Sequence, residues 1–173
     1  MGHMGITLGI AFAIMRILKK NWNPKMFILV VGVASITPDL IDKPLGLLYG
    51  FQGGGRLLSH TLILSAAVMV ISLLLWRIAS GRGLSISFLP LLFSLGVWIH
   101  LPLDFMWEDL EVLFWPAYGL GFPPGEFSWV HLTESPLVIT GEVIGALVIA
   151  YLSILLFQGK FAVEEPVKKE ETI

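Results

Sequence analysis

Five long apolar stretches punctuate the chain, at about 3–18, 25–42, 57–79, 85–105 and 135–157. A membrane-crossing helix needs about 20 apolar residues, so the pattern predicts an all-α integral membrane bundle of five transmembrane helices. The first stretch is short for a span but rich in small residues (Gly5, Gly9, Ala11, Ala13), which suits close helix packing in lipid. The second ends at Thr37-Pro38-Asp39-Leu40-Ile41-Asp42-Lys43-Pro44, where two prolines and two carboxylates predict a helix break. A glycine-rich loop follows at 46–55.

The longest connection, 106–133, is expected to be a folded loop with one short helix over 108–113. Its Trp107, Trp115, Tyr118 and Trp129 suit an interfacial aromatic belt. Thr133 or Ser135 can cap the fifth helix, and Pro136 suits its first turn. Residues 1–158 are thus read as one transmembrane domain, and 159–173 as a charged, disordered tail.

Composition agrees: 55% of the 173 residues are hydrophobic and only 14% are charged, against about 25% in soluble domains. The N-terminal stretch lacks a basic leader and is not expected to be a cleaved signal. With no cysteine, disulfides and thiolate zinc sites are excluded. Any metal must be held by His, carboxylates, backbone or water.

Charge sets an expected orientation. Arg16, Lys19, Lys20, Lys25, Arg77, Arg82, Lys160, Lys168 and Lys169 fall on one side of a five-helix arrangement, and only Lys43 and Arg56 on the other. Basic loops stay cytoplasmic. The expected topology is N-outside and C-inside, a multi-pass protein of the cell membrane.

Under that topology His3, Asp39, Asp42, Arg56, His60, His100 and Asp104 all reach the outer ends of their helices. Arg56 and His60, four residues apart, are expected on one helical face, as are His100 and Asp104. Singly, each has a plain structural use as an interface anchor or turn residue. Together they suggest a metal site. His3, Asp39, His60, His100 and Asp104 are the expected ligands, and Asp42 a ligand or general base. Asp42, Arg56 and Asp104 form the expected catalytic group. Imidazole with carboxylate suits Zn²⁺, or alternatively Mn²⁺ or Fe²⁺. Arg56 suits a phosphate, which its planar fork can bind bidentately. Arg56 is expected to be balanced at rest by Asp39 and Asp42. His131, Glu134 and Glu142 are further candidates.

The segments Gly2-His3-Met4-Gly5, Pro38-Asp39-Leu40-Ile41-Asp42-Lys43-Pro44, Gly55-Arg56, Ser59-His60-Thr61, His100-x-x-x-Asp104 and Trp115-Pro116 resemble a family of small membrane-bound metal-dependent hydrolases of archaea and bacteria. The resemblance covers residues 2–118. It implies a native His3 and a hydrolase needing a divalent metal. More distantly, the order of ligands is similar to zinc-dependent phospholipase C. That family carries a second His-x-x-x-Glu/Asp pair, where this chain has only His131-x-x-Glu134, so a third metal is not expected.

The expected function is hydrolysis of a phosphoester of a lipid or amphiphile at the outer membrane boundary. The bilayer is the expected partner, with no nucleic acid. The rival expectations are a non-enzymatic metal- or ion-binding channel or transporter subunit, and a membrane scaffold that uses the aromatic loop. A transport path calls for polar residues at midplane, where the chain offers Glu142 and little else.

Overall fold

The computed structural model describes residues 2–18, 23–48, 55–82, 87–122 and 136–161. Among them every regular element is helical: α1 (Gly2–Ile17), α2 (Pro24–Leu48), a 3₁₀ turn (Leu58–His60), α3 (Leu62–Gly81), α4 (Leu89–Leu103), a second 3₁₀ turn (Met106–Glu108), α5 (Leu110–Leu113) and α6 (Pro136–Phe157). Helices α2, α3 and α6 are long and apolar enough to cross a membrane. The apolar α1 and α4, at 16 and 15 residues, are shorter. At about 1.5 Å per residue they fall short of a hydrocarbon core of about 30 Å.

The bundle has a centre and two flanks. α1, α2 and α4 pack on one another in the middle, α6 lies against α1, and α3 lies against α4. The flanking helices bury little: only Gly145 and Leu152 of α6, and Ser65 and Ser72 of α3. Their exposed Leu, Ile and Val side chains suit lipid contact, where no water penalises them.

Small residues set the closest approach. Gly5 and Gly9 of α1 meet Gly145 and Val148 of α6, and a Cβ on Gly145 would stand 2.5 Å from the Gly2 Cα. This is the close backbone packing that glycine permits between membrane helices. Between α2 and α4, a Cβ on Gly96 would stand 2.5 Å from the Ala34 Cβ.

Two boundaries differ from the sequence expectation for identifiable reasons. α2 does not end near Asp42 but runs through Pro38 and Pro44 to Leu48. A proline removes one hydrogen bond from a helix, and a membrane helix tolerates this where neighbours supply compensation. Pro38 is fully buried against such neighbours. α3 begins not at 57 but at Leu62, capped by Thr61, whose Oγ1 accepts the Leu64 N–H at 3.2 Å. The preceding turn is drawn out of helical geometry because Asp42 captures its N–H groups.

Residues expected in the tail contribute to the core. Gly159 adopts φ 69° and closes α6, with its N–H bonding the Leu156 carbonyl and the Lys160 N–H bonding the Leu155 carbonyl. That pair of bonds is the glycine-terminated Schellman arrangement. It folds Phe161, 1% exposed, against the rings of Phe12 and Phe27. Arg16 secures the return by donating to the Lys160 carbonyl at 2.7 Å.

Candidate metal centre

Four elements converge at one end of the bundle: the start of α1, the last third of α2, the turn before α3 and the end of α4. Asp42 organises the turn. Fully buried, it accepts the Leu57 N–H at 2.7 Å, the Ser59 N–H at 3.0 Å and His60 Nδ1 at 2.8 Å. Backbone donors and an imidazole together compensate a buried carboxylate that would otherwise be costly. Since a carboxylate only accepts, a proton sits on His60 Nδ1, and in the neutral ring Nε2 presents a lone pair.

His100 is held in the same sense by a different group. Its Nδ1 donates to the Ser35 carbonyl at 2.7 Å, and both residues are fully buried. Ser35 lies three residues before Pro38, in the stretch of α2 where the helical ladder loses a donor. A carbonyl also only accepts, so in the neutral ring the His100 Nε2 is bare. The two Nε2 atoms stand 3.2 Å apart. Two imidazoles on one tetrahedral Zn²⁺, with Zn–N of 2.0–2.1 Å, place their nitrogens about 3.3 Å apart.

Asp39 completes a group that can hold a metal: single donor atoms of Asp39, His60 and His100 all lie within 4.8 Å of one another. Asp39 Oδ1 is 3.7 Å from His60 Nε2, and its Oδ2 pairs with Lys43 Nζ at 3.0 Å. Asp104 stands close, with Oδ2 3.5 Å from His60 Nε2. The same oxygen accepts Arg56 Nε at 2.8 Å, while Arg56 Nη2 donates to the Asp104 carbonyl at 2.8 Å. That carbonyl is presented where the chain reverses at Phe105, which takes the left-handed φ of 56°.

Arg56 is therefore balanced by Asp104, not by Asp39 and Asp42 as expected. It shares no α-helical face with His60, because Leu58–His60 is a 3₁₀ turn. With ionised carboxylates, Asp39, Asp42 and Asp104 outweigh Lys43 and Arg56 by one negative charge, which favours a cation between them.

His3 lies at the rim. Its Nε2 donates to the Leu103 carbonyl at 2.9 Å, and its ring meets His100 edge-on at 5.3 Å between centroids. Glu142, on α6, accepts the Gly2 backbone N–H next to His3. His131, Glu134 and Trp129 lie outside the described residues. Ser35 was not foreseen as part of the site, because a main-chain carbonyl has no signature in sequence.

A family model described as YdjM inner membrane protein matches residues 1–162. The chain belongs to the YdjM inner membrane protein family. This corrects the resemblance to small membrane-bound metal-dependent hydrolases, and the distant one to zinc-dependent phospholipase C, since the YdjM match spans every segment that suggested them. Clusters of His and Asp recur on unrelated folds, so a short shared order of ligands does not establish kinship. No curated protein and no solved structure matches the chain. As a YdjM protein it is an inner membrane protein, in keeping with its apolar helices.

Proposed function

We propose that this YdjM protein is a membrane-embedded hydrolase built on a divalent metal held by His60, His100 and Asp39. The observation that carries the reading is the pair of bare Nε2 atoms 3.2 Å apart, each fixed by an acceptor on its own Nδ1. With both rings neutral the two lone pairs face each other, an arrangement that a cation between them relieves, and the spacing suits Zn²⁺. Mn²⁺ and Fe²⁺ take the same donor types.

Three protein ligands leave a coordination position open, as in catalytic and unlike structural zinc sites. An ion there supplies a Lewis acid and lowers the pKa of water towards about 7. On this reading Asp104, whose Oδ2 is 3.5 Å from His60 Nε2, receives a proton beside that open position. Arg56, one-third exposed, holds Asp104 with two of its five N–H groups, and on this reading the others serve an anionic group such as a phosphoester. Asp42 acts through His60, as a carboxylate that fixes its tautomer and raises its basicity.

The substrate class follows from the surroundings. Leu40 and Ile41, between Asp39 and Asp42, and Leu58, two residues before His60, are exposed apolar side chains beside a charged site. That combination suits a lipid or amphiphile with an anionic headgroup. The charge asymmetry of the loops supports a site facing away from the cytoplasm, with five helices crossing the membrane. The test is the metal content of the purified protein by mass spectrometry, with phosphodiesterase assays on metal-loaded and chelated samples. Metal-free protein from metal-replete cells, unable to take up Zn²⁺, would overturn the reading.

A further inference from the structure

A buried polar group in a membrane protein finds no water in the hydrocarbon core and has to be satisfied within the protein. Serine and threonine in helices commonly bond back to their own backbone. Among the described residues six hydroxyls do so: Ser35 donates to the Gly32 carbonyl, Thr37 to Val33, Thr61 to Leu58, Ser94 to Leu91, Thr140 to Pro136 and Ser153 to Ile149. Ser65 does not. It is 1% exposed, and its Oγ has no protein partner, although the Thr61 carbonyl lies one turn behind and already accepts the Ser65 N–H at 3.1 Å.

Two further orphans lie in the turn before α3 and in α3 itself. Ser59 Oγ, beside His60, and Trp76 Nε1, towards the far end of α3, are buried without a partner. The remaining buried orphan among the described residues, Thr7 Oγ1, sits on α1 one turn from His3. Three of the four thus belong to α3 or the turn that leads into it.

α3 packs chiefly on α4 and on that turn, so its buried face, marked by Ser65 and Ser72, looks at α4. α4 answers with polar groups. Trp98 Nε1 donates to the Ser65 carbonyl at 3.1 Å, and Ser94 Oγ reaches Met69 Sδ at 3.3 Å. Ser65 and Trp76 are about 16 Å apart along the helix, at roughly 1.5 Å per residue. Without water the seam would leave both donors unsatisfied in a low dielectric, where the cost is greatest. Buried water is the usual remedy where several polar groups line one space.

We propose that the α3–α4 seam is a water site, with ordered molecules bound to Ser65 Oγ and Trp76 Nε1 and reaching up to the Ser59 turn. The site takes water alone and stands independently of any metal.

A crystal structure of the full chain grown in a lipid mesophase, at a resolution that shows water, tests this directly. Density within hydrogen-bond distance of both Ser65 Oγ and Trp76 Nε1 is expected, and a dry seam overturns the proposal. A stability measurement gives a second reading. Deleting a dry, unsatisfied hydroxyl relieves a penalty, so Ser65→Ala would raise Tm if the seam were dry. With water bound, Ser65→Ala removes one of its anchors and is expected to lower Tm relative to Ser153→Ala, an exposed helical serine that carries the same gain in helix propensity. A Tm for Ser65→Ala above that of Ser153→Ala overturns the proposal even where crystals are lacking.

Discussion

His60 and His100 bring their Nε2 atoms to 3.2 Å from opposite sides of the site, although 40 residues separate them in the chain. Neither ring is free to turn away, because Asp42 and the Ser35 carbonyl hold the other nitrogens. The protein as purified is therefore expected to carry about one equivalent of a divalent ion per chain. His60→Ala or His100→Ala should abolish stoichiometric binding, because each removes one of three donors. Elemental analysis beside a helical circular dichroism spectrum separates loss of metal from loss of fold. Full occupancy in both variants would place the ion elsewhere.

Asp42→Asn probes orientation rather than ligation. The amide keeps one acceptor oxygen but loses the charge that three N–H groups share. Metal affinity is expected to fall about 10- to 100-fold, the range for losing a partner that orients a metal-ligating histidine. Competition with a chelator of known affinity measures it. An unchanged affinity would leave Asp42 as a brace for the turn alone.

The hydrophobic pattern made the helices legible, because a chain that lives in lipid must bury its backbone bonds in helices and clothe them in apolar side chains. It did not settle how many cross the membrane, since α1 and α4 are too short to be judged by length alone. The boundaries failed where local rules met tertiary ones. Pro38 and Pro44 read as breakers yet sit inside α2, and the apolar Leu57-Leu58 reads as helix yet forms a turn around Asp42. Placing His and Asp at common helix ends named Asp39, His60 and His100, but within a longer set of ligands that also held His3, Asp42 and Asp104. The hierarchy among the candidates was not legible. Backbone groups decide it: Leu57 and Ser59 N–H occupy Asp42, the Leu103 carbonyl takes His3, and the Ser35 carbonyl directs His100. None has a side-chain signature.

The contact of α1 with α6 predicts an asymmetry within Gly141-x-x-x-Gly145. A Cβ at Gly145 would strike the backbone of Gly2, whereas a Cβ at Gly141 meets nothing within 4 Å. Gly145→Ala is expected to destabilise by about 1–3 kcal/mol, as overpacking does. Gly141→Ala should be neutral, or stabilising by up to about 1 kcal/mol from helix propensity. Thermal unfolding in detergent compares them, and equal losses at the two positions would contradict the packing described.

Arg56 is the group through which an anionic substrate would be felt. Its Nε and Nη2 grip the carboxylate and the carbonyl of Asp104 at 2.8 Å each, so it positions Asp104 with two of its five N–H groups. Lysine keeps the charge but loses the fork, and cannot reproduce that two-point grip while also meeting a phosphate. Arg56→Lys is therefore expected to retain metal, since Asp39, His60 and His100 are untouched. It should slow phosphoester hydrolysis by about one to three orders of magnitude, the range for loss of one charge-stabilising donor. Were Arg56 only an interface anchor, lysine would serve as well, because both side chains carry their charge to the membrane surface. Turnover measured on metal-replete Arg56→Lys, with Asp104→Asn alongside, decides between these roles. A fully loaded Arg56→Lys protein hydrolysing a verified substrate at the wild-type rate would remove Arg56 from the chemistry, and the Asp104→Asn rate would then show whether Asp104 acts without it.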